Sequence, residues 1–135
     1  MSEIEHKYDP KKFIEKLKKI LSKNGLIIFR IPNFNNIYMY CLGPAFLKYD
    51  YRSSHNFYFS EKNLDIFFKK IKLKVIRKIG HNEYDLNHLI TYIKNKKRVD
   101  LKMVRKNFDK KTNNFFKINI EKALASTSLI YIVKK

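Results

Sequence analysis

Hydrophobic residues recur with a helical spacing near the start of the chain. The first such segment places four apolar residues at spacings typical of one helix face: Phe13, Leu17, Ile20 and Leu21. Asp9 can cap this helix and Pro10 suits its first turn. Asn24-Gly25 is predicted to end it, because either residue accepts the left-handed conformation that helix ends often need. The pattern therefore predicts an amphipathic helix packed on a core by one side.

A second helix is predicted after Ser60, whose side chain can cap the helix start. Its apolar face consists of Leu64, Phe67, Phe68 and Ile71. A polar, helix-compatible insert follows at 82–119. One face of that insert carries Leu86, Leu89, Ile90 and Ile93. These stripes predict core packing rather than cofactor contacts.

Three other segments have the pattern of strands. Leu26 to Ile31 is almost continuously apolar and must end at Pro32, which cannot donate a ladder hydrogen bond. Such a run is typical of a strand buried on both faces, as in a parallel sheet covered by helices. Leu73 to Ile79, ended by Gly80, and Ser128 to Val133 are the other two predicted strands.

The remaining long segment, from Asn33 to Ser54, has no clear periodicity and is predicted to be a loop with at most a helical turn. No repeat or low-complexity linker divides the chain. We therefore expect one α/β unit over residues 1–135, with three strands and flanking helices. Two of the strands are expected to be of the parallel type, and the last one antiparallel.

Composition restricts the function. A formal net charge of +18 is compatible with nucleic-acid binding, because lysine and arginine neutralise phosphates. However, lysine pairs are spread along the whole chain, as expected of solvated surfaces, and only Lys94 to Lys111 is dense enough to suggest a patch. The lone Cys41 allows no internal disulfide, no secretion signal is recognisable, and the apolar runs are too short to span a membrane. A cytoplasmic protein is expected.

The order of several short motifs along the chain is informative. Glu5-His6 and Asp9-Pro10 precede the first helix, Gly25 precedes a strand that ends in Pro32-Asn33, and His55, Phe59 and Ser60 open the next helix. In this order they resemble the second half of class I (Rossmann-like) S-adenosylmethionine-dependent methyltransferases. The resemblance covers most of the chain outside the insert at 82–119.

The resemblance implies a partial methyltransferase domain. The fourth strand of the family would end just before Glu5, and Leu73 to Ile79 and Ser128 to Val133 would be its sixth strand and its antiparallel seventh. The Gly-rich turn and the acidic residue that hold the cofactor would lie before Met1, so the chain alone is expected to bind S-adenosylmethionine poorly. It would be a truncated product, an internal start, a remnant, or a subunit that completes a separately encoded first half.

The resemblance also implies site residues. His55 would be the general base or orient the acceptor, and Glu5 would lie beside the methyl donor. Asn33, His6 and Tyr58 would contact the acceptor, a small molecule, sugar or quinone-type compound. Each residue has a structural alternative. His55 could cap the adjacent helix, Glu5 and His6 could hydrogen-bond to each other, and Asn33 could form an Asx turn.

No metal site is included in this interpretation. Some metal-dependent methyltransferases of the superfamily have Glu-x-x-Glu-His and a later histidine, but here the first acid, Glu3, lies one position too close to Glu5. Glu5, His6 and His55 remain a conceivable ligand set. Tyrosines from Tyr38 to Tyr58 could form the wall of an acceptor pocket or pack a lid. His81 and His88 match no motif and are predicted to lie on the surface.

Overall fold

The computed structural model describes residues 4–50 and 53–135. Its helices are α1 (Pro10–Ile20), α2 (Ile37–Leu42), α3 (Pro44–Asp50), α4 (Glu61–Lys70), α5 (Leu86–Asn95) and α6 (Lys110–Lys122). Its strands are β1 (Leu26–Pro32), β2 (Lys74–His81) and β3 (Ser128–Lys134). Short 3₁₀ turns cover Ile4–His6 and Leu101–Met103. Met1 and Glu3, named above, lie outside the described residues, as does Tyr51 of the tyrosine-rich segment.

The strands form one sheet in the order β1-β3-β2, and both pairings are antiparallel. The predicted α/β class with three strands is therefore confirmed. The expectation that β1 has a parallel neighbour is not met among the described strands, because β3 lies between β1 and β2. Since both outer strands are antiparallel to β3, they run in the same direction without touching.

β1 has one buried and one exposed face. Ile27, Phe29 and Ile31 are buried, whereas Leu26 and Ile28 are 55% and 52% exposed. The prediction of burial on both faces was therefore wrong for the described structure. The continuous apolar run conceals an alternation, because Leu26 and Ile28 are as hydrophobic as their buried neighbours.

The main core lies between the buried face of the sheet and the helices α1 and α4. Leu129, Tyr131 and Val133 of β3 share this core with Leu64 and Phe68 of α4. Each residue is inaccessible to solvent. The predicted apolar face of α4 is thus confirmed, as is the Ser60 cap, whose hydroxyl accepts a hydrogen bond from the backbone N–H of Asn63 at 3.3 Å.

α1 differs from its predicted pattern in two details. Ile14 is its fully buried residue, whereas Ile20 is 82% exposed. The helix ends at Ile20, and neither Asn24 nor Gly25 has a positive φ. At its start the prediction was correct, since the Asp9 carboxylate accepts a hydrogen bond from the backbone N–H of Lys12 at 2.9 Å.

The segment predicted as a loop instead contains α2 and α3. The Asn36 side chain caps α2 by accepting hydrogen bonds from the backbone N–H groups of Tyr38 and Met39, at 2.9 and 3.2 Å. Gly43, with φ of 57°, ends α2, and Pro44 begins α3. These capping residues override the weak periodicity.

A second, smaller core joins α2 and α3 to the insert. It consists of Tyr38, Phe46, Leu89, Tyr92 and Val99. The segment 82–119 contains α5 and the start of α6, which continues to Lys122 and packs on β2. None of the described helices is long and apolar enough to span a membrane.

Candidate functional site

A cavity of about 370 Å³ opens at the carboxyl end of β1. Its size lies within the range of small-molecule sites, roughly 300–1,000 Å³. The lining comes from the first 3₁₀ turn, the end of β1, the segments 34–58 and 83–98, and the start of β3. It includes each of the five residues that the sequence predicted for the site: Glu5, His6, Asn33, His55 and Tyr58. Their individual roles stay predictions.

Glu5 presents a buried carboxylate to this cavity. The residue is 3% exposed, and its Oε2 atom accepts no hydrogen bond from any residue that the structure describes. Its backbone carbonyl holds it in place by accepting hydrogen bonds from the N–H groups of Asn56 and Phe57, at 2.9 and 3.2 Å. A buried carboxylate oxygen without a donor is costly, so a cation or a donating ligand group would stabilise it.

His6 is oriented by the loop that follows α3. Its Nδ1 atom lies 2.7 Å from the carbonyl oxygen of Ser54. Because a carbonyl only accepts, Nδ1 carries the proton and the neutral ring has its lone pair on Nε2. Nε2 lies 3.8 Å from Oε1 of Glu5, and the ring of His55 meets the His6 ring edge-on with 4.8 Å between centroids.

Glu5, His6 and His55 form a candidate cation site. One ligand atom from each lies within 4.8 Å of the others. One carboxylate and two imidazoles suit a divalent transition metal, and the Nδ1 contact of His6 is the outer hydrogen bond that commonly orients a histidine ligand. The residues therefore fit a cation, although the sequence-based interpretation did not include one.

Asn33 has a structural role that the sequence analysis had left as an alternative. Its Oδ1 atom accepts a hydrogen bond from the backbone N–H of Asn35 at 3.1 Å, which is the contact of an Asx turn. Its Nδ2 atom donates to the carbonyls of Leu124 and Ser126, at 2.9 and 3.0 Å. Asn33 thus joins the end of β1 to the chain entering β3, and its contact with an acceptor stays a prediction.

His88 is buried in the wall of the cavity, so its predicted surface position was wrong. It is 5% exposed, and its Nδ1 atom lies 2.6 Å from the hydroxyl of Tyr38. The ring of Tyr84 stacks on the imidazole with 4.0 Å between centroids. His81, by contrast, is half-buried in β2 and lies outside the cavity lining.

Sequence reasoning missed this wall, although a signal was present. Tyr84, His88 and Tyr92 are spaced by four residues, which places them on one face of a helix. The sequence analysis predicts one apolar face for the insert, made of Leu86, Leu89, Ile90 and Ile93. In the structure His88 and Tyr92 are also buried, because both contact Tyr38 of α2 and Tyr92 also contacts Phe46 of α3.

We expect acid to lower the stability of the fold, because His88 is buried. Burial lowers the pKa of His88, and the Val99 backbone and the Asp85 carboxylate, which both favour the protonated ring, oppose this with smaller effects. The folded chain therefore takes up a proton less readily than the unfolded chain. We expect the free energy of unfolding to be greatest above the ordinary histidine pKa of about 6.5 and to fall as the pH drops below it.

Urea titrations between pH 5 and 8 would measure this slope. The expected result is a smaller slope for His88→Gln than for the parent chain, with His81→Asn as the matched control. Equal slopes for the parent and His88→Gln would contradict the assignment.

The dense basic stretch from Lys94 to Lys111 is exposed apart from Val99 and Val104, which are buried and half-buried. Arg98, within this stretch, reaches the cavity lining.

A comparison with protein-family models finds no match for the chain, and a comparison with curated proteins finds no significant match.

Proposed function

We propose that the cavity binds the methyl acceptor of a class I S-adenosylmethionine-dependent methyltransferase, of which this chain is the carboxyl-terminal part. The acceptor would be a small molecule, such as a sugar or quinone-type compound. The observation that carries this proposal is the gathering of residues. Four positions in the ordered motifs, namely Glu5, His6, Asn33 and His55, line one cavity together with the predicted Tyr58.

The arrangement of strands supports the same proposal. The last strand, β3, is antiparallel to both others, and β1 and β2 run in one direction. The cavity lies at the carboxyl end of β1, which is where open α/β sheets place their ligands. The Rossmann-like assignment itself is part of the proposal.

Within this proposal the residues have separate tasks. His55 would remove the proton from the acceptor, and the buried Glu5 would lie nearest the methyl donor. His6, Asn33 and Tyr58 would position the acceptor in line with the methyl group. S-adenosylmethionine supplies the electrophilic methyl group when bound, and its binding residues would belong to the other half of the complete domain.

The proposal can be tested by restoring that half. The DNA upstream of the Met1 codon would be translated in all frames, and a segment with a strand and a Gly-rich turn would be joined to this chain. We expect the joined protein to bind S-adenosylmethionine in a calorimetric titration at least tenfold more tightly than the chain alone. Tight, stoichiometric binding by the chain alone would contradict the proposal, and so would a joined, folded protein that does not bind the cofactor.

A second proposal, a separately encoded first half, is favoured by the exposed face of β1. Leu26 and Ile28 present aliphatic side chains to solvent on the side opposite the main core. A polypeptide that supplies the missing strands together with their helices would cover such a face and bury it. Copurification of this chain with a polypeptide bearing those strands would distinguish a split enzyme from a truncated one.

A further inference from the structure

We propose that the cavity is built for a planar aromatic ring that carries an acidic group. This inference rests on the proposed function and narrows the acceptor to one chemical class. It depends on three features of the cavity: its aromatic lining, the guanidinium group of Arg98, and the hydrogen bonds that already occupy its asparagine side chains.

The first aromatic group comes from α2, α3 and α5. It comprises the rings of Tyr38, Phe46, Tyr84, His88 and Tyr92. The ring of Tyr38 stacks on Phe46 at 5.8 Å between centroids and meets Tyr92 edge-on at 5.1 Å. Because each ring packs on others of the group, the wall is fixed before a ligand arrives, which lowers the entropic cost of binding.

A hydrogen bond fixes this wall further. The Tyr38 hydroxyl and Nδ1 of His88 are 2.6 Å apart, which is a hydrogen-bond distance. Tyr38 and His88 are therefore positioning residues that hold Tyr84 in its stacked place.

A second aromatic group lines the same cavity near the candidate cation site. Phe34 meets Tyr58 edge-on at 6.3 Å, and the ring of His55 lies 5.5 Å from that of Tyr58. Aromatic rings from two parts of the chain thus line one cavity. A flat ring gains most from such a lining, through stacked or edge-to-face contacts.

The cationic side chains of the cavity lining offer a partner for an anionic substituent, which must stay clear of the buried Glu5 carboxylate. Arg30 forms an ion pair with Glu83 and is therefore compensated. Arg98 is exposed and forms no ion pair with any residue that the structure describes. A guanidinium group binds a carboxylate or phosphate through two parallel hydrogen bonds.

The asparagine side chains in the cavity lining disfavour a sugar as the acceptor. Sugars are recognised by many hydrogen bonds, which asparagine side chains commonly provide. Here the Asn33 amide is occupied by backbone groups, and Asn36 donates from Nδ2 to the Asn33 carbonyl at 2.7 Å while its Oδ1 caps α2. Both amides are hydrogen-bonded within the fold, which leaves few of their atoms for the hydroxyls of a sugar. Asn33 would contact an acceptor only through the remaining lone pair of its Oδ1 atom.

The test measures binding by the full chain without cofactor. Saturation-transfer NMR titrations would use 4-hydroxybenzoate as the probe, phenol as the uncharged ring, and cyclohexanecarboxylate and glucose as the non-aromatic comparisons. Adenosine 5′-monophosphate would show whether a nucleotide is an alternative source of the same ring-plus-anion chemistry. We expect 4-hydroxybenzoate or the nucleotide to bind at least fivefold more tightly than every comparison compound.

Two variants and their controls locate the site. Tyr84→Leu should weaken binding of the aromatic acid about fivefold, whereas Tyr40→Leu, at an exposed tyrosine outside the lining, should not. Arg98→Gln should weaken the acid about fivefold and leave phenol unchanged, with Arg105→Gln as its control. Circular dichroism would confirm that each variant is folded.

Equal binding of cyclohexanecarboxylate, preference for glucose, or no binding of either aromatic acid would overturn the inference. These outcomes are separate from those of the proposed function. Binding of an aromatic acid that follows the Tyr84 and Arg98 variants supports the inference even if the joined protein fails to bind S-adenosylmethionine. A joined protein that binds the cofactor but methylates only non-aromatic compounds overturns the inference alone.

Discussion

Replacing Phe29 by alanine should lower the free energy of unfolding by about 3–5 kcal/mol, the usual cost of removing a buried phenylalanine. Phe29 lies in β1, is inaccessible to solvent, and packs on Phe68 of α4 with 5.5 Å between ring centroids. In the sheet it is paired with the equally buried Tyr131. The substitution leaves a cavity between the sheet and α4 that neither element can fill by a small shift. Urea denaturation followed by circular dichroism measures the change.

The matched control is Ile28→Ala, one position along the same strand. Because Ile28 is half exposed, it should cost about 1 kcal/mol or less, with an unchanged dependence on urea. The pair also tests the burial of β1. Similar losses for both variants would show that β1 is covered on both sides, as the sequence predicted and the described structure does not show.

Replacing His55 by asparagine should slow methyl transfer by the joined enzyme by about 10²- to 10⁴-fold, the usual contribution of general acid–base catalysis. His55 lines the cavity beside His6 and Tyr58, and asparagine retains some polarity but cannot take up a proton. The rate of S-adenosylhomocysteine formation is the measurement. A calorimetric titration should show unchanged cofactor affinity, so that loss of chemistry is distinguished from loss of binding.

His81→Asn is the control, because His81 lies in β2 and outside the cavity lining. A full rate in His55→Asn would remove the residue from the proposed chemistry. A chelator then separates its two roles. If chelation stops the reaction and Mn²⁺ restores it, Glu5, His6 and His55 act as cation ligands. If the rate is insensitive to chelation, His55 acts as the base.

The sequence predicted local elements well where one strong signal determined them. Pro32 ends β1 at the predicted residue because it cannot donate to the ladder, and Asp9 and Ser60 cap their helices as expected. The predicted apolar face of α4 was also correct. Such features depend on contacts between residues that are only a few positions apart, and the sequence pattern shows these residues directly.

The errors arose where contacts between residues far apart in the sequence determine the structure. Nothing near Ile28 in the chain indicates that its side of the sheet is exposed, and Ile20 follows the apolar spacing yet points into solvent. His88 was misplaced because its partner Tyr38 lies fifty positions earlier. The cavity was predicted only through the order of motifs, and its aromatic wall required α2 and α3 to fold against the insert.

The order of the strands has a consequence for biosynthesis. β3 lies between β1 and β2 but is translated after both of them, with the insert in between. The two earlier strands therefore emerge from the ribosome without their common neighbour, and no antiparallel pair can close until Ser128 and the residues after it have been added. Assembly of the sheet must wait for this late segment, and nascent chains that stall before it would expose Phe29 and Ile31 to chaperones.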